Sequence, residues 1–415
     1  MYIEFVENTD GTNIPHVQGR LCLPFVKFLI HLRLTPMNRG GRREPTTINN
    51  MATHMKIWFD YCTDLGLKFD QTTYDLHLVV LKESLKAKGV QSLSINAYYR
   101  TWRVFYEWCD TQGYGHLMQF PAKIESNKTQ FRGNPILANR SSRSVKTLTD
   151  PGLEAVTVVD DYKEFVLNHD EYTRLAEALH AVDPVYELIG YMMVTTGLRI
   201  GGVIQIPVGA DKRNPKWLRY PDLESSGVSF QKLTYKPKGN KRLLKCIVLT
   251  ASLKVLHEKY IKAIRKKRAE TYKSKFRSGD VPLWLNRNGK QVQKNDVWNA
   301  FREVSVKLGR RIVPHHLRHT YATYIIYNYF KAHGLKPNLA YAHDIHEQLS
   351  SQLGHSDIEV TKMYIRTVIR TETEAWLPIL TPHVKHSVEG LMSDHVLAAM
   401  AKFFEPTPHS SNSRE

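Results

Sequence analysis

The sequence predicts a mainly helical protein with a small antiparallel β-sheet, an α+β fold divided into two domains. Apolar residues recur at helical spacing along most of the chain, with Leu21 to Leu34 as the first example. One β-rich stretch interrupts the helices, where Val228 to Tyr235 and Arg242 to Leu249 flank a turn at residues 237–240. The chain has 415 residues, of which 42% are hydrophobic, so it is long enough for two or three domains with real cores.

The N-terminal part is predicted to be helical. Residues 1–18 are expected to form a tail with one strand, from Tyr2 to Val6. Residues 19–122 are expected to form a domain with its aromatic residues inside, because these residues recur on the apolar stripes. Its four helices are predicted at Leu21 to Leu34, from Thr46 or Thr47 to Gly66, at Thr73 to Lys88 and at Ser92 to Thr111.

Residues 123–164 are polar, basic and poor in apolar periodicity. We interpret them as an exposed linker, which either lies against a partner such as DNA or is an ordinary solvated loop. Residues 165–382 are predicted to form the second domain, and residues 383–415 an amphipathic helix from Val384 to Phe404 with a frayed tail. Helices of the second domain are predicted at Asp170 to Ala181, Val185 to Thr196, Ala251 to Lys273, Lys294 to Leu308, His316 to Ala332, His343 to Leu353 and Asp357 to Thr371.

The chain is strongly basic. Lys and Arg number 58 against 40 Asp and Glu, which gives a formal net charge of +18. Such an excess favours a polyanionic partner, with nucleic acid as the first candidate, although a merely basic protein would share it.

Cysteine usage and terminal composition exclude several classes. The four cysteines are far apart and form no CxxC pair, so reduced thiols are expected rather than a disulfide framework or a zinc site. The N-terminus lacks an apolar signal core, and no apolar run approaches the ~18 residues of a membrane span. We therefore expect a cytoplasmic, nucleoid-associated protein without membrane association.

Five segments of the second domain carry side chains suited to attack on a phosphodiester. Cleavage through a covalent protein link needs a nucleophile, donors for the developing phosphorane charge and a proton donor for the leaving 5′ oxygen. Arginine forks match phosphate oxygens, histidine and lysine transfer protons, and a tyrosyl ester would conserve the energy of the backbone bond. The candidates are Arg199 in TGLRI, Lys238 in PKGNK, His315 and Arg318 in PHHLRHT, His355 in LGH, and Tyr364 in VTKMYI.

Local spacing is compatible with one shared site. His315 and Arg318 lie three residues apart at a predicted helix N-terminus, so they face the same way. The sequence from Ser356 to Glu359 is a capping box, which predicts that a helix begins there. His355 would then precede the helix and Tyr364 would lie on its third turn, with both able to face one point.

These segments resemble the tyrosine recombinase (phage integrase) family. TGLR, KGNK, HHLRHTYAT and LGHSDIEVTKMY each match its signature segments in the right order, with the tyrosine nine residues after the LGH histidine. The resemblance covers roughly Leu167 to Thr371, and the N-terminal helical pattern is similar to the family's DNA-clamping core-binding domain.

The resemblance implies a site-specific recombinase of the integrase or transposase type. It would act as a homotetramer on double-stranded DNA, through a 3′-phosphotyrosine and a four-way junction, without metal, cofactor or ATP. The implied roles are phosphate binding by Arg199 and Arg318, protonation of the leaving oxygen by Lys238, acid or base assistance by His315, a phosphate hydrogen bond from His355, and attack by Tyr364.

The sequence departs from the family pattern at two places. The family's glutamate three residues after the first arginine is replaced by Gly202, which could loosen a neighbouring basic side chain. The long gap from Arg199 to Lys238 implies an insertion around Arg213 to Ser226, so Lys236 and Lys241 compete with Lys238 for the lysine role.

Two alternatives to a recombinase remain at this stage, a type IB topoisomerase-like nicking and closing enzyme and a catalytically silent DNA-binding protein. Integration, transposition, dimer resolution and inversion are not distinguished, and we favour a mobile-element recombinase. His316 and His319 are expected to be supporting or core residues, and the N-terminal tryptophans core rather than base-stacking residues. Candidate DNA contacts are Arg39, Arg42, Arg43, Arg100, Arg103 and Lys241.

Overall fold

A computed structural model describes residues 2–9, 11–36, 41–130, 143–156, 162–237, 243–276, 280–338, 343–354 and 358–376. The chain divides into two compact units, Met1–Val158 and Val159–Glu415. Both are built mainly from helices, with short antiparallel sheets, so the predicted fold class is confirmed.

The first unit opens with a small antiparallel sheet of β1 (Glu4–Glu7), β2 (Asn13–Val17) and β3 (Arg20–Leu21). The sequence predicted only the first of these strands. Ile3 is 3% exposed, and its backbone N–H donates to the Asp60 carboxylate at 2.8 Å. The N-terminal residues that were expected to form a tail are thus held against the helices by hydrogen bonds between backbone groups and side chains. Such bonds leave no periodic pattern of apolar residues in the sequence.

Helices α1 (Leu23–Leu34), α2 (Pro45–Asp64), α3 (Val80–Ala87) and α4 (Ser92–Gln112) form the body of the first unit. A π-helical turn at Tyr74–Val79 leads into α3. The four predicted helices are present, with ends shifted by a few residues. Their aromatic side chains are buried as expected: Trp58, Trp102 and Phe105 have no exposed surface, and the Trp58 indole donates to the Tyr106 hydroxyl at 2.9 Å.

Two strands occupy much of the stretch predicted to be an irregular linker. β4 (Ile124–Gln130) pairs antiparallel with β5 (Arg143–Thr149), from Ile124↔Thr149 to Gln130↔Arg143. Polar strands of this kind pair through the backbone and lack the apolar alternation that marks a half-buried strand, so the sequence did not reveal them.

The second unit contains the predicted functional segments and consists mainly of helices. Helices α5 (His169–Val182), α6 (Pro184–Thr196), α7 (Ile200–Val203) and α8 (Tyr220–Ser225) precede an antiparallel hairpin of β6 (Phe230–Tyr235) and β7 (Leu244–Leu249). Then come α9 (Thr250–Leu256), a π-helical stretch, α10 (Lys266–Lys275), α11 (Lys294–Lys307), α12 (Pro314–Ala332), α13 (His343–Leu353) and α14 (Ile358–Trp376).

The predicted hairpin and helices of this unit are present. The predicted insertion contains α8, which the sequence did not indicate. Helix α12 lies centrally, because it packs against α6, α11, α13 and α14. The predicted helix from Val384 to Phe404 lies outside the described residues.

Candidate active site

The N-terminus of α12 carries two of the predicted site residues. The helix begins at Pro314, whose missing N–H costs nothing in the first turn. His315 is half-buried, and Arg318, one turn later, is 1% exposed. The two residues lie three apart on this helix, and the Arg318 charge contributes to the lowered pKa of His315.

Arg318 connects three of the predicted segments. Its guanidinium donates to the carbonyl oxygen of Gly197 at 2.8 Å and to that of Leu353 at 2.6 Å. Its charge also acts to lower the pKa of Tyr364, which places the tyrosine close to the guanidinium. The TGLR segment, the residues before His355 and the tyrosine helix therefore meet at one buried arginine.

Arg199 lies beside this centre. Gly197 ends α6 in the left-handed conformation with φ 69°, a geometry that favours glycine, and Arg199 follows as the exposed residue that caps α7. Burial, together with the like charge of Arg199, lowers the pKa of Arg318 to about 10. Arg318 therefore remains charged at neutral pH, and the two neighbouring arginines suit the site to an anion.

His315 is neutral at physiological pH. Burial lowers its pKa to about 4, with smaller contributions from the charges of Arg318 and Arg199. A neutral imidazole can accept a proton, and it can also donate a hydrogen bond from its other ring nitrogen.

Tyr364 is 1% exposed on α14. Its ring centroid lies 4.8 Å from that of Tyr162 and 5.6 Å from that of His319. Burial raises the pKa of Tyr364 to about 12, whereas Arg318 and Arg199 act in the opposite direction. Tyr364 is therefore a neutral phenol next to the arginine pair.

Four predicted residues, Lys238, His355, Lys241 and Arg39, lie outside the described residues, so their predicted roles stay predictions. Lys236, the competitor for the lysine role, is described. It directly follows β6 and is exposed, with its backbone N–H and carbonyl both bonded to the Gln205 amide at 2.9 Å.

The glutamate that the family pattern places at Gly202 has no room in this structure. A Cβ added to Gly202 would lie 2.8 Å from Leu198 Cδ2 and 3.4 Å from Tyr235 Cδ2. Tyr235 is buried, and the charges of Arg318 and Arg199 act on the pKa of its hydroxyl, so an aromatic ring stands next to the arginines here. Leu198 and Tyr235 thus fill the space beside Gly202.

Four further residues lie near the site, and the sequence named only one of them, His319. Tyr162 and His319 pack against Tyr364, and His319 was expected only in a supporting or core position, where it lies. Gln205 and Gln352 bond backbone groups of the hairpin. Glutamine is common on protein surfaces, and nothing in the local pattern distinguishes these two.

The predicted DNA-contact arginines differ in their surroundings. Arg42 and Arg100 are exposed. Arg43 donates to the carbonyl oxygen of Leu32 at 3.3 Å. Arg103 is held within the first unit, because it pairs with Asp150 at 2.8 Å and Glu107 at 2.9 Å.

Within the described residues, no three His, Cys, Asp or Glu side chains are grouped as metal ligands. In the same part of the chain, no helix is long and apolar enough to cross a membrane.

Comparisons with known proteins place the second unit among enzymes of the DNA strand-transferase class. Residues 166–369, just under half of the chain, match the phage integrase family model. The tyrosine recombinase XerD of Staphylococcus saprophyticus is 23% identical over 314 residues, which is 69% of this chain and 92% of the relative. That of Staphylococcus aureus is 30% identical over 84 residues, and the match spans 20% of this chain and only 24% of the relative.

The family match covers the same part of the chain as the sequence resemblance, so the resemblance to the tyrosine recombinases is confirmed. Solved structures with a similar fold include XerH recombinase bound to a palindromic difH substrate, with a TM-score of 0.48, 14% identity and coverage of 81% of this chain and 80% of that one. A lambda integrase fragment bound as a dimer to a core site has a TM-score of 0.47 and 13% identity, over 83% of this chain and 95% of that one. Likeness at this level is not itself a sign of function.

Proposed function

We propose that the protein cuts and rejoins double-stranded DNA at a specific site through a 3′-phosphotyrosine at Tyr364. The observation that carries the proposal is the position of Arg318, which donates to the carbonyl oxygens of Gly197 and Leu353 and lies close enough to Tyr364 for its charge to act on the phenol. A phosphate bound to this arginine would lie next to the tyrosine hydroxyl. Nucleophile and phosphate ligand are thus already adjacent in the folded protein.

The two arginines would supply the charge that the transition state requires. Arg199 is exposed, so it can reach a phosphate that arrives from solvent, and Arg318 is buried with both terminal nitrogens fixed on carbonyl oxygens. Preorganised donors of this kind need no reorganisation as the phosphorane forms. We assign both side chains to the scissile phosphate and, following the sequence prediction, His355 to a further hydrogen bond.

The proton transfers complete the reaction. The Tyr364 oxygen forms a bond to phosphorus, its phenolic proton passes to a base, and the bond from phosphorus to the 5′ oxygen breaks. We assign His315 as the base, because its imidazole is neutral at physiological pH and a neutral ring nitrogen can accept a proton. We assign Lys238 to protonate the leaving 5′ oxygen, with Lys236 and Lys241 as competitors. Rejoining reverses these steps with the 5′-hydroxyl of another strand.

We further propose that four copies act together on two DNA sites through a four-way junction, at the nucleoid. The net charge of +18 suits the chain to a polyanion. Lambda integrase, to which the chain is similar with a TM-score of 0.45, has been solved as a tetramer bound to a Holliday junction. The topoisomerase-like and silent alternatives are not favoured, because the relatives are recombinases.

Exchange between two sites tests the proposal. The DNA flanking the protein's own gene would first be footprinted to find its binding site, and two copies of that site would be placed on one plasmid. We expect recombinant products from the wild type and none from Tyr364→Phe. Relaxation of supercoils without recombinants would instead favour a topoisomerase.

A further inference from the structure

Three glutamine side chains surround the β6–β7 hairpin, and each is hydrogen-bonded to both the N–H and the carbonyl of a single backbone residue. In every case Oε1 accepts from the N–H while Nε2 donates to the carbonyl, at 2.9–3.0 Å. The three pairs are Gln205 with Lys236, Gln352 with Ile247, and Gln231 with Leu218.

Two of these amides also reach the segment that presents Arg199. Gln205 donates to the carbonyl oxygen of Gly201, two residues after Arg199. Gln352 donates to that of Thr196, three residues before Arg199, at 3.0 Å. Each strand of the hairpin is thereby fastened to one side of the arginine.

The third amide makes the same pair of backbone bonds at a different location. Gln231 lies near the start of β6, and its partner Leu218 belongs to the insertion rather than to the Arg199 segment. It therefore provides a chemically matched comparison for Gln205.

Two candidates for the catalytic lysine, Lys236 and Lys238, come shortly after β6 in the sequence. Gln205 fixes the backbone of Lys236, and Lys238 follows two residues later in the sequence. Oε1 of Gln205 also accepts from the Arg213 guanidinium, which orients the amide. Gly202 offers no side chain for this purpose, so the amides provide the connection between this strand end and Arg199.

We propose that Gln205 and Gln352 are positioning residues, which set the distance between the lysine that protonates the leaving 5′ oxygen and the arginine that holds the phosphate. The inference rests on the proposed function. It applies to Lys236, whose backbone Gln205 binds directly, and to Lys238, which comes two residues later in the sequence.

The chemistry of the leaving group provides a selective test. An oxygen leaving group needs a proton as its bond to phosphorus breaks. A sulfur at the same bridging position leaves as a thiolate, because thiols have a pKa of about 8.5 and alkoxides are far more basic. A 5′-bridging phosphorothiolate therefore reports attack by the tyrosine without any demand for a general acid.

The experiment compares single-turnover cleavage of oxygen and sulfur substrates by the full chain, with DNA saturating. For Gln205→Ala and Gln352→Leu we expect cleavage of the oxygen substrate to slow roughly 10- to 100-fold, as misplacement of about 1 Å can cost 100-fold. On the sulfur substrate both should stay within about threefold of the wild type. Gln231→Ala should match the wild type on both substrates.

Two further measurements separate positioning from folding. Gln205→Glu keeps the oxygen that accepts from Lys236 but loses both donors, so it should show the same substrate-selective loss. DNA affinity and melting temperature should change little in the Gln205 variants, since this side chain is only half-buried. If Gln352→Leu fails to fold, the two Gln205 variants decide the matter.

Equal slowing of both substrates, or an unchanged rate on the oxygen substrate, would overturn the proposal. Failure of the wild type to form a covalent adduct with either substrate would instead overturn the proposed function. The two failures are therefore distinguishable in one assay.

Discussion

Arg318 lies close enough to Tyr364 for its charge to lower the pKa of the phenol, and each of the two residues is 1% exposed. Arg318 also binds two backbone carbonyl oxygens, so the same side chain supports the fold and the proposed chemistry. Arg199, by contrast, is exposed on its helix cap. The two arginines should therefore respond differently to substitution.

Arg199→Ala and Arg318→Ala should each slow cleavage by about 100- to 1,000-fold, the usual loss when one donor to a transition-state charge is removed. Only Arg318→Ala should also lower the free energy of unfolding, by roughly 1–3 kcal/mol, because the carbonyls of Gly197 and Leu353 lose their donors. Cleavage rates together with denaturant melts check this. Equal stability of the two variants would show that the carbonyl bonds of Arg318 contribute nothing to the fold.

Gly202→Ala should destabilise the protein by about 1–3 kcal/mol, because the new Cβ would lie 2.8 Å from Leu198 Cδ2 in a packed interior. Gly201→Ala is the matched control. Its Cβ would lie 3.1 Å from Cε of Lys294, the end of a flexible side chain that can move away. Melting temperatures of the two variants test the prediction, and a Gly202→Ala protein as stable as Gly201→Ala would contradict it.

Acid should destabilise the second unit through buried histidines. Burial lowers the pKa of His316 from its ordinary 6.5 to about 4, and Arg310 and Arg311 act in the same direction. The folded state then binds fewer protons than the unfolded state between these values, so stability should be lost as the pH falls from about 6.5 towards 4. Burial also lowers the pKa of His315 to about 4, so protonation of this side chain should destabilise the folded state over the same pH range.

His316→Phe should reduce this acid sensitivity, since the replacement keeps a ring beside Phe165 and cannot titrate. Melting temperatures at pH 7.5, 6 and 5 would be compared between variant and wild type. An identical fall in both would exclude His316 as a source of the acid sensitivity.

Substitution of Arg100 should weaken DNA binding, whereas substitution of Arg103 should lower stability. Arg100→Ala should weaken DNA binding and reduce the slope of log affinity against log salt by about one, as expected if the exposed side chain neutralises one phosphate. Arg103→Ala should leave that slope unchanged and lower the melting temperature, because Asp150 and Glu107 lose their partner. Affinities measured at several salt concentrations decide between the two roles, and the reverse pattern would contradict the assignment.

The sequence predicted most of the helices and the order of the functional segments, because apolar periodicity and short motifs are local properties. It did not predict that Arg318 binds Leu353, or that Tyr162 packs on Tyr364, since these contacts join distant parts of the chain. The polar strands β4 and β5 were missed for the related reason that backbone pairing has no periodic signature. The placement of Gln205 became visible only once the hairpin stood beside Arg199.

Identification of the covalently modified residue tests the central claim most directly. The wild type would be trapped on a nicked suicide substrate, the DNA digested to a short nucleotide remnant and the protein cleaved with trypsin. Cleavage after Lys362 and Arg366 releases residues 363–366, which contain Tyr364 as their one tyrosine. We predict that the remnant, joined through its 3′ phosphate, lies on this peptide and is absent from Tyr364→Phe. A remnant on a peptide carrying Tyr162 or Tyr235, or an adduct that persists in Tyr364→Phe, would contradict the assignment.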